Sequence, residues 1–154
     1  MTGFFVAGVP VQQGSKTAFV VGKRAVLTDS NKAQLKPWRA GVARVAQSAW
    51  WAEQPLDGAV QVSAVFVMPR GKSVTRELPS VTPDLDKLIR ALLDGVTDAG
   101  NVWRDDAQVV RLVVEEVYGP EPGVHVDIAP IQRVAVLAAL TTNAATAALK
   151  GIAS

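Results

Sequence analysis

Apolar and polar positions along this chain follow two different rhythms. Stretches that alternate with a period of two read as half-buried strands: Phe4 to Val9, closed by Pro10, and Ala59 to Met68, closed by Pro69. In the second of these, Val60, Val62, Ala64, Phe66 and Met68 share one side. Ala18 to Val21 and Ala25 to Thr28 flank Gly22-Lys23-Arg24 and predict a hairpin. The β-branched run Val109 to Tyr118 predicts a further strand, Gly119 to Gly123 a turn, and Val124 to Ile128 a final strand returning beside it.

The other rhythm is helical. Leu35, Trp38, Val42, Val45 and Ala46 recur on one face up to about Trp51, with Asp29 or Ser30 as N-cap. Pro37 interrupts that segment, so the helix proper is expected to begin there. Leu85, Leu88, Ile89, Leu92, Leu93 and Val96 form a second apolar stripe, with Pro83 suited to the first turn and Gly100 to a left-handed cap. Ile131 to Ser154 is rich in Ala, Leu and Thr, with helical propensity in Gln132 to Leu140 and Asn143 to Lys150. Together these elements predict an α+β fold. Residues 1–130 make one compact domain, a small mixed sheet packed against two main helices, and residues 131–154 an Ala-rich, helical C-terminal extension.

Composition narrows the chemistry. A chain of 154 residues, 49% hydrophobic, is long enough for one core and short for two. It has no cysteine, so no disulfide or thiolate metal site is available, which suits a reducing cytoplasm. No apolar run approaches a membrane span, and Met1 to Val6 lacks the basic segment of a signal peptide, so a cytoplasmic protein with no membrane partner is expected. Net charge is only +2, so distribution says more than the total. Lys16, Lys23, Arg24, Lys32, Lys36, Arg39 and Arg44 give the first third a basic surplus, and Arg70, Lys72 and Arg76 lie in a long aperiodic loop before the second helix. Trp50 and Trp51 are expected to close an apolar face, Trp103 to pack at a strand entry, and His125 to be a packing or surface residue and no ligand.

Two acid pairs bracket the second helix. Asp84-Leu85-Asp86 opens it, and Trp103-Arg104-Asp105-Asp106-Ala107-Gln108-Val109 leads into the next strand. These motifs, in this order and spacing and with a basic residue at Arg90 between them, resemble the RusA family of Holliday-junction resolvases over most of Phe4 to Ile128. The resemblance implies a homodimer that makes paired symmetric nicks across a four-way DNA junction, acting in recombination and repair in a bacterial cell or a phage-infected host. It carries the metal-binding acids onto Asp84, Asp86 and Asp106, with Asp105 as a fourth, and the family's essential lysine onto Arg90. Lys87 stands where the family often has Asn, and the loop after the first strand is expected near DNA, with Lys16, Gln12 and Gln13 at phosphates. Arg70, Lys72, Arg76 and Lys87 are the other expected DNA contacts.

Taken singly, each acid has a local explanation: helix-start carboxylates gain from the helix dipole, and Asp105-Asp106 suits a turn. Taken jointly, carboxylates converging from both ends of the helix require a cation, and hard oxygen donors favour Mg²⁺, or Mn²⁺, over Zn²⁺. The alternatives from the same residues are a less selective metal-dependent nuclease on flaps or forks, and a nucleic-acid-binding module whose acids serve only as caps and turns.

Overall fold

The computed structural model describes residues 2–14, 16–21, 24–29 and 32–132; of residues 16–21 and 24–29 only the backbone is described. The elements are β1 (Thr2–Ala7), β2 (Lys16–Val21), β3 (Arg24–Asp29), α1 (Lys32–Ala49), β4 (Val60–Met68), α2 (Leu85–Ala99), β5 (Val109–Tyr118) and β6 (Gly123–Pro130). Strands β1, β6, β4 and β5 form one four-stranded mixed sheet in that order, and β2 and β3 pair as a separate antiparallel hairpin. The fold is thus a single α+β domain. The helical extension expected from residue 131 lies outside the described residues after Gln132, as does the cap expected at Ser30. Asp29, the other expected cap, closes β3 instead.

Alternation explains the core. Val60, Val62, Ala64, Phe66 and Met68 of β4 are all buried on one face, beside Val124, Val126 and Ile128 of β6. That face receives Leu35, Trp38, Val42 and Ala46 of α1 and Leu88, Ala91, Leu92 and Val96 of α2. Burying a face of this size supplies most of the folding free energy. The helices cross closely: a Cβ on Gly95 would lie 2.8 Å from Val42.

Three expectations about the elements are overturned. α1 starts at Lys32 and carries Pro37 inside it, where the exposed ring faces solvent. Pro37 costs one backbone bond near the helix start, and the buried stripe that begins at Leu35 offsets it. Pro83 lies ahead of the helix rather than in its first turn, after a cis Thr82-Pro83 peptide, and Asp84 is the N-cap. Finally, β6 does not lie beside β5; it runs between β1 and β4. The chain after β5 crosses the end of β4, where the Gly119 amide donates to the Met68 carbonyl at 3.1 Å. A Cβ on Gly119 would sit 2.5 Å from Val67, so the crossing needs glycine. Adjacency in sequence suggests a β5–β6 hairpin, but β6 has a buried side to satisfy, and only the centre of the sheet provides it.

β4, α2 and β5 form a parallel crossover unit, so α2 starts near the carboxyl end of β4 and returns toward its amino end. The 15 residues of α2 span roughly 22 Å. This separation governs the site.

Candidate active site

At the start of α2, the loop after β1 is tied to the helix. The Asp84 amide donates to Gln12 Oε1 at 2.6 Å, and the Gln13 amide donates to the Lys87 carbonyl at 3.0 Å. Gln12 is therefore a bracket for the helix, rather than free to meet a phosphate. The Asp84 side chain accepts no capping bond from the helix. Its carboxylate instead meets Lys87 Nζ at 2.6 Å, and this hydrogen bond, with the Asp84 charge, raises the Lys87 pKa. Asp86 is exposed in the first turn. The duty that would explain Asp84 as a mere helix cap is absent.

The basic loop 69–83 folds around one arginine. Arg70 donates through Nε to the Val74 carbonyl at 3.2 Å and through Nη2 to those of Thr75 and Arg76 at 3.3 and 2.9 Å. Its guanidinium carbon also lies 5.6 Å from the centre of the Tyr118 ring, with that of Arg76 at 5.8 Å. Arg76 Nε donates to the Tyr118 hydroxyl at 2.8 Å. Arg70 is thus consumed in holding the loop, whereas Arg76 is oriented by one bond and Lys72 is exposed. The Lys16 side chain lies outside the described residues.

The turn of the second acid pair is held by Gln108, a residue of the same motif to which spacing assigns no role. A one-turn 3-10 helix, Asp106–Gln108, precedes β5, and Asp105 caps it by accepting from the Ala107 amide at 2.8 Å. Gln108 Oε1 accepts from the amides of Arg104 and Asp105 at 2.8 and 3.2 Å. Its Nε2 donates to the carbonyls of Leu56 and Gly58 at 3.0 and 2.9 Å. One side chain therefore pins the acid turn to the entry of β4. Trp103, 2% exposed, anchors the turn from below and donates its indole N–H to Thr97 Oγ1 at 2.9 Å. Asp105 has a local duty, and Asp106 is the half-buried acid left beside it.

The two acid pairs do not meet within one chain. Among the described residues no three acid or histidine side chains gather as a metal-ligand set. The acid that feels the charge of Asp106 is Asp94, in the second half of α2 and about 12 Å along the axis from Asp86. Asp94 was not expected at the site. Burial raises its pKa, Arg39 Nη1 at 3.3 Å opposes that rise, and Asp106 adds to it. Arg90 is exposed, and the ion pair with Asp86 that its spacing allows is not formed.

Elsewhere, His125 is exposed and stacks on Phe5 with ring centres 4.4 Å apart. Trp50 packs against the core, but Trp51 is 84% exposed and closes nothing. No helix among the described residues is long and apolar enough to cross a membrane.

The domain is thus a mixed sheet with both helices on one face, carrying acids at the start of its crossover helix and again before the returning strand. Residues 8–129 match the family described as endodeoxyribonuclease RusA. The chain belongs to the RusA endodeoxyribonuclease family. It is also similar to an uncharacterized protein, YqaN, of Bacillus subtilis (strain 168), at 32% identity over 139 residues, covering 81% of this chain and 93% of that protein.

Proposed function

We propose that this chain is a Mg²⁺-dependent, structure-selective endodeoxyribonuclease that resolves four-way DNA junctions by paired symmetric nicks, acting as a homodimer in recombination and repair in the cytoplasm. The observation that carries the reading is the state of Asp84 and Asp86. In a chain of this family, both carboxylates stand at the open start of α2, neither serving as a cap, beside a basic loop that delivers Arg76 and Lys72.

The donors fit a hard divalent cation in kind, being carboxylate oxygens with no soft ligand near, but one chain does not gather enough of them. Asp84 and Asp86 would hold Mg²⁺, or Mn²⁺, and Asp106 of a second copy would complete the set. Such a cation supplies Lewis-acid polarisation of a phosphodiester and activates water near neutral pH. The edge of the sheet supports association of two copies: among the described residues no strand pairs with the outer side of β5, and Val110, Leu112 and Val113 are 54, 46 and 44% exposed along it.

The chain's own cations do the rest. Arg90, one turn beyond Asp86, offers a permanent charge to a phosphoryl oxygen but cannot donate a proton. Lys87 holds its proton tightly through Asp84 and acts as a cation that steadies that carboxylate. Arg76 and Lys72 meet the DNA backbone, whose geometry and not its base sequence is read.

The test uses a labelled four-way junction, a matched linear duplex and a single strand, each with Mg²⁺ or chelator. Symmetric junction nicks that disappear with chelator and in Asp86→Asn are expected. Indiscriminate cutting would point to a flap or fork nuclease, and binding without cutting under every condition to a non-catalytic module.

A further inference from the structure

α1 carries Lys32, Lys36, Arg39 and Arg44 and no acid along its 18 residues. The first three line a groove of about 430 Å³ together with Leu35, Ala40 and, from α2, Asp98. Arg39 spends its charge inside the fold, meeting Asp98 at 2.7 Å and Asp94 at 3.3 Å. That ion pair fixes the groove between the two helices. Lys32 and Lys36 are exposed and have no acid partner among the described residues. A solvated helix ordinarily gains from Glu–Lys pairs one turn apart, and α1 forgoes all of them. Its first turn also holds Lys32 against the helix dipole, an arrangement unfavourable to folding. The uncompensated charge has to be explained by something outside the fold.

The groove meets α2 at Asp98, in its last turn, and the direction of α1 carries the lysines back toward the proposed site. Arg39 lies across from Asp94 and Asp98, and Gln47 lies across from Ala99 and Asn101, so α1 and α2 run in the same direction. The first turns of α1 therefore sit toward the end of α2 that bears Asp84 and Asp86. Trp38 confirms the alignment by lying beside Gly8, just past the end of β1, whose following loop is tied to Asp84 and Lys87.

We infer that this groove is a second seat for DNA, taking the sugar-phosphate backbone of a duplex arm that leaves the cutting site, with Lys32 and Lys36 each meeting a phosphate. The inference rests on the nuclease reading but is tested by binding alone. A labelled four-way junction is titrated with the full-length protein in chelator over a series of NaCl concentrations. Lys32→Gln/Lys36→Gln is expected to weaken binding roughly tenfold near 0.1 M salt, and to reduce the slope of log affinity against log salt by about 2. Lys36→Gln alone reduces the slope by about 1, and Arg44→Gln, outside the groove, leaves affinity and slope unchanged. Unchanged affinity in the double variant overturns the inference. So does weakened binding with an unchanged slope, since loss of a phosphate contact must release fewer counterions. If the double variant keeps junction binding and loses binding of a polyglutamate peptide, the occupant is an acidic protein segment and the inference falls. Absence of cutting by the parent protein with Mg²⁺ would remove the nuclease reading and leave the slope measurement standing.

Discussion

Single side chains settle questions that spacing leaves open. Whether Asp84 caps its helix depends on one side-chain torsion, which no pattern of residues encodes, and the structure turns it to Lys87. The role of Gln108 was hidden for another reason: two of its partners, Leu56 and Gly58, lie about fifty residues away in sequence. Glu116 shows how an edge strand strains a charge. It pairs with Phe66 on the helix-covered face, one of its oxygens is buried without a partner, and burial raises its pKa. The native state then binds the proton more tightly than the unfolded chain, so stability falls as pH rises from the usual carboxylate value of 4.5 through the raised value. Glu116→Gln should melt at a higher temperature than the parent at about pH 7, with the two curves converging below about pH 4. At Gly95, Ala would press on Val42, and the strain should exceed the gain in helix propensity. A net loss of about 1–2 kcal/mol in urea unfolding is expected.

At the level of elements, the helices and central strands were legible because each must bury one face, and burial writes its period into the sequence. Strand order was less so. The position of β6 follows from packing against β1 and β4 together, a competition among three strands that local pattern does not describe. The loop 69–83 reads as irregular in sequence, yet it is wound on Arg70 and leaned against Tyr118. Arg70→Ala should leave the core intact and open this loop, seen as faster proteolytic cleavage between residues 70 and 83 with little change in melting temperature. Gln108→Leu removes two donors and an acceptor from the turn that holds Asp106. It should cost about 1–3 kcal/mol in denaturant unfolding and lower the cutting rate as Asp106 loses its place.

For the molecule as a whole, the motifs in the sequence identify the acids, and their distribution over the fold belongs to topology. A helix in a parallel crossover must carry the chain from one end of the sheet to the other, so residues just before and just after it are driven apart. Asp84 and Asp86 are thereby separated from Asp106, which acts on Asp94, about 12 Å along the helix axis from Asp86. Leu112→Glu on the open edge should shift light scattering from dimer to single chain and abolish junction cutting.

That division has a consequence for the cell. On the reading proposed above, a solitary copy fresh from the ribosome would carry only part of the cutting apparatus, and would be harmless to the chromosome until it met its twin. In dilute solution the activity should therefore climb with the square of protein concentration, so that scarcity itself serves as a safety catch.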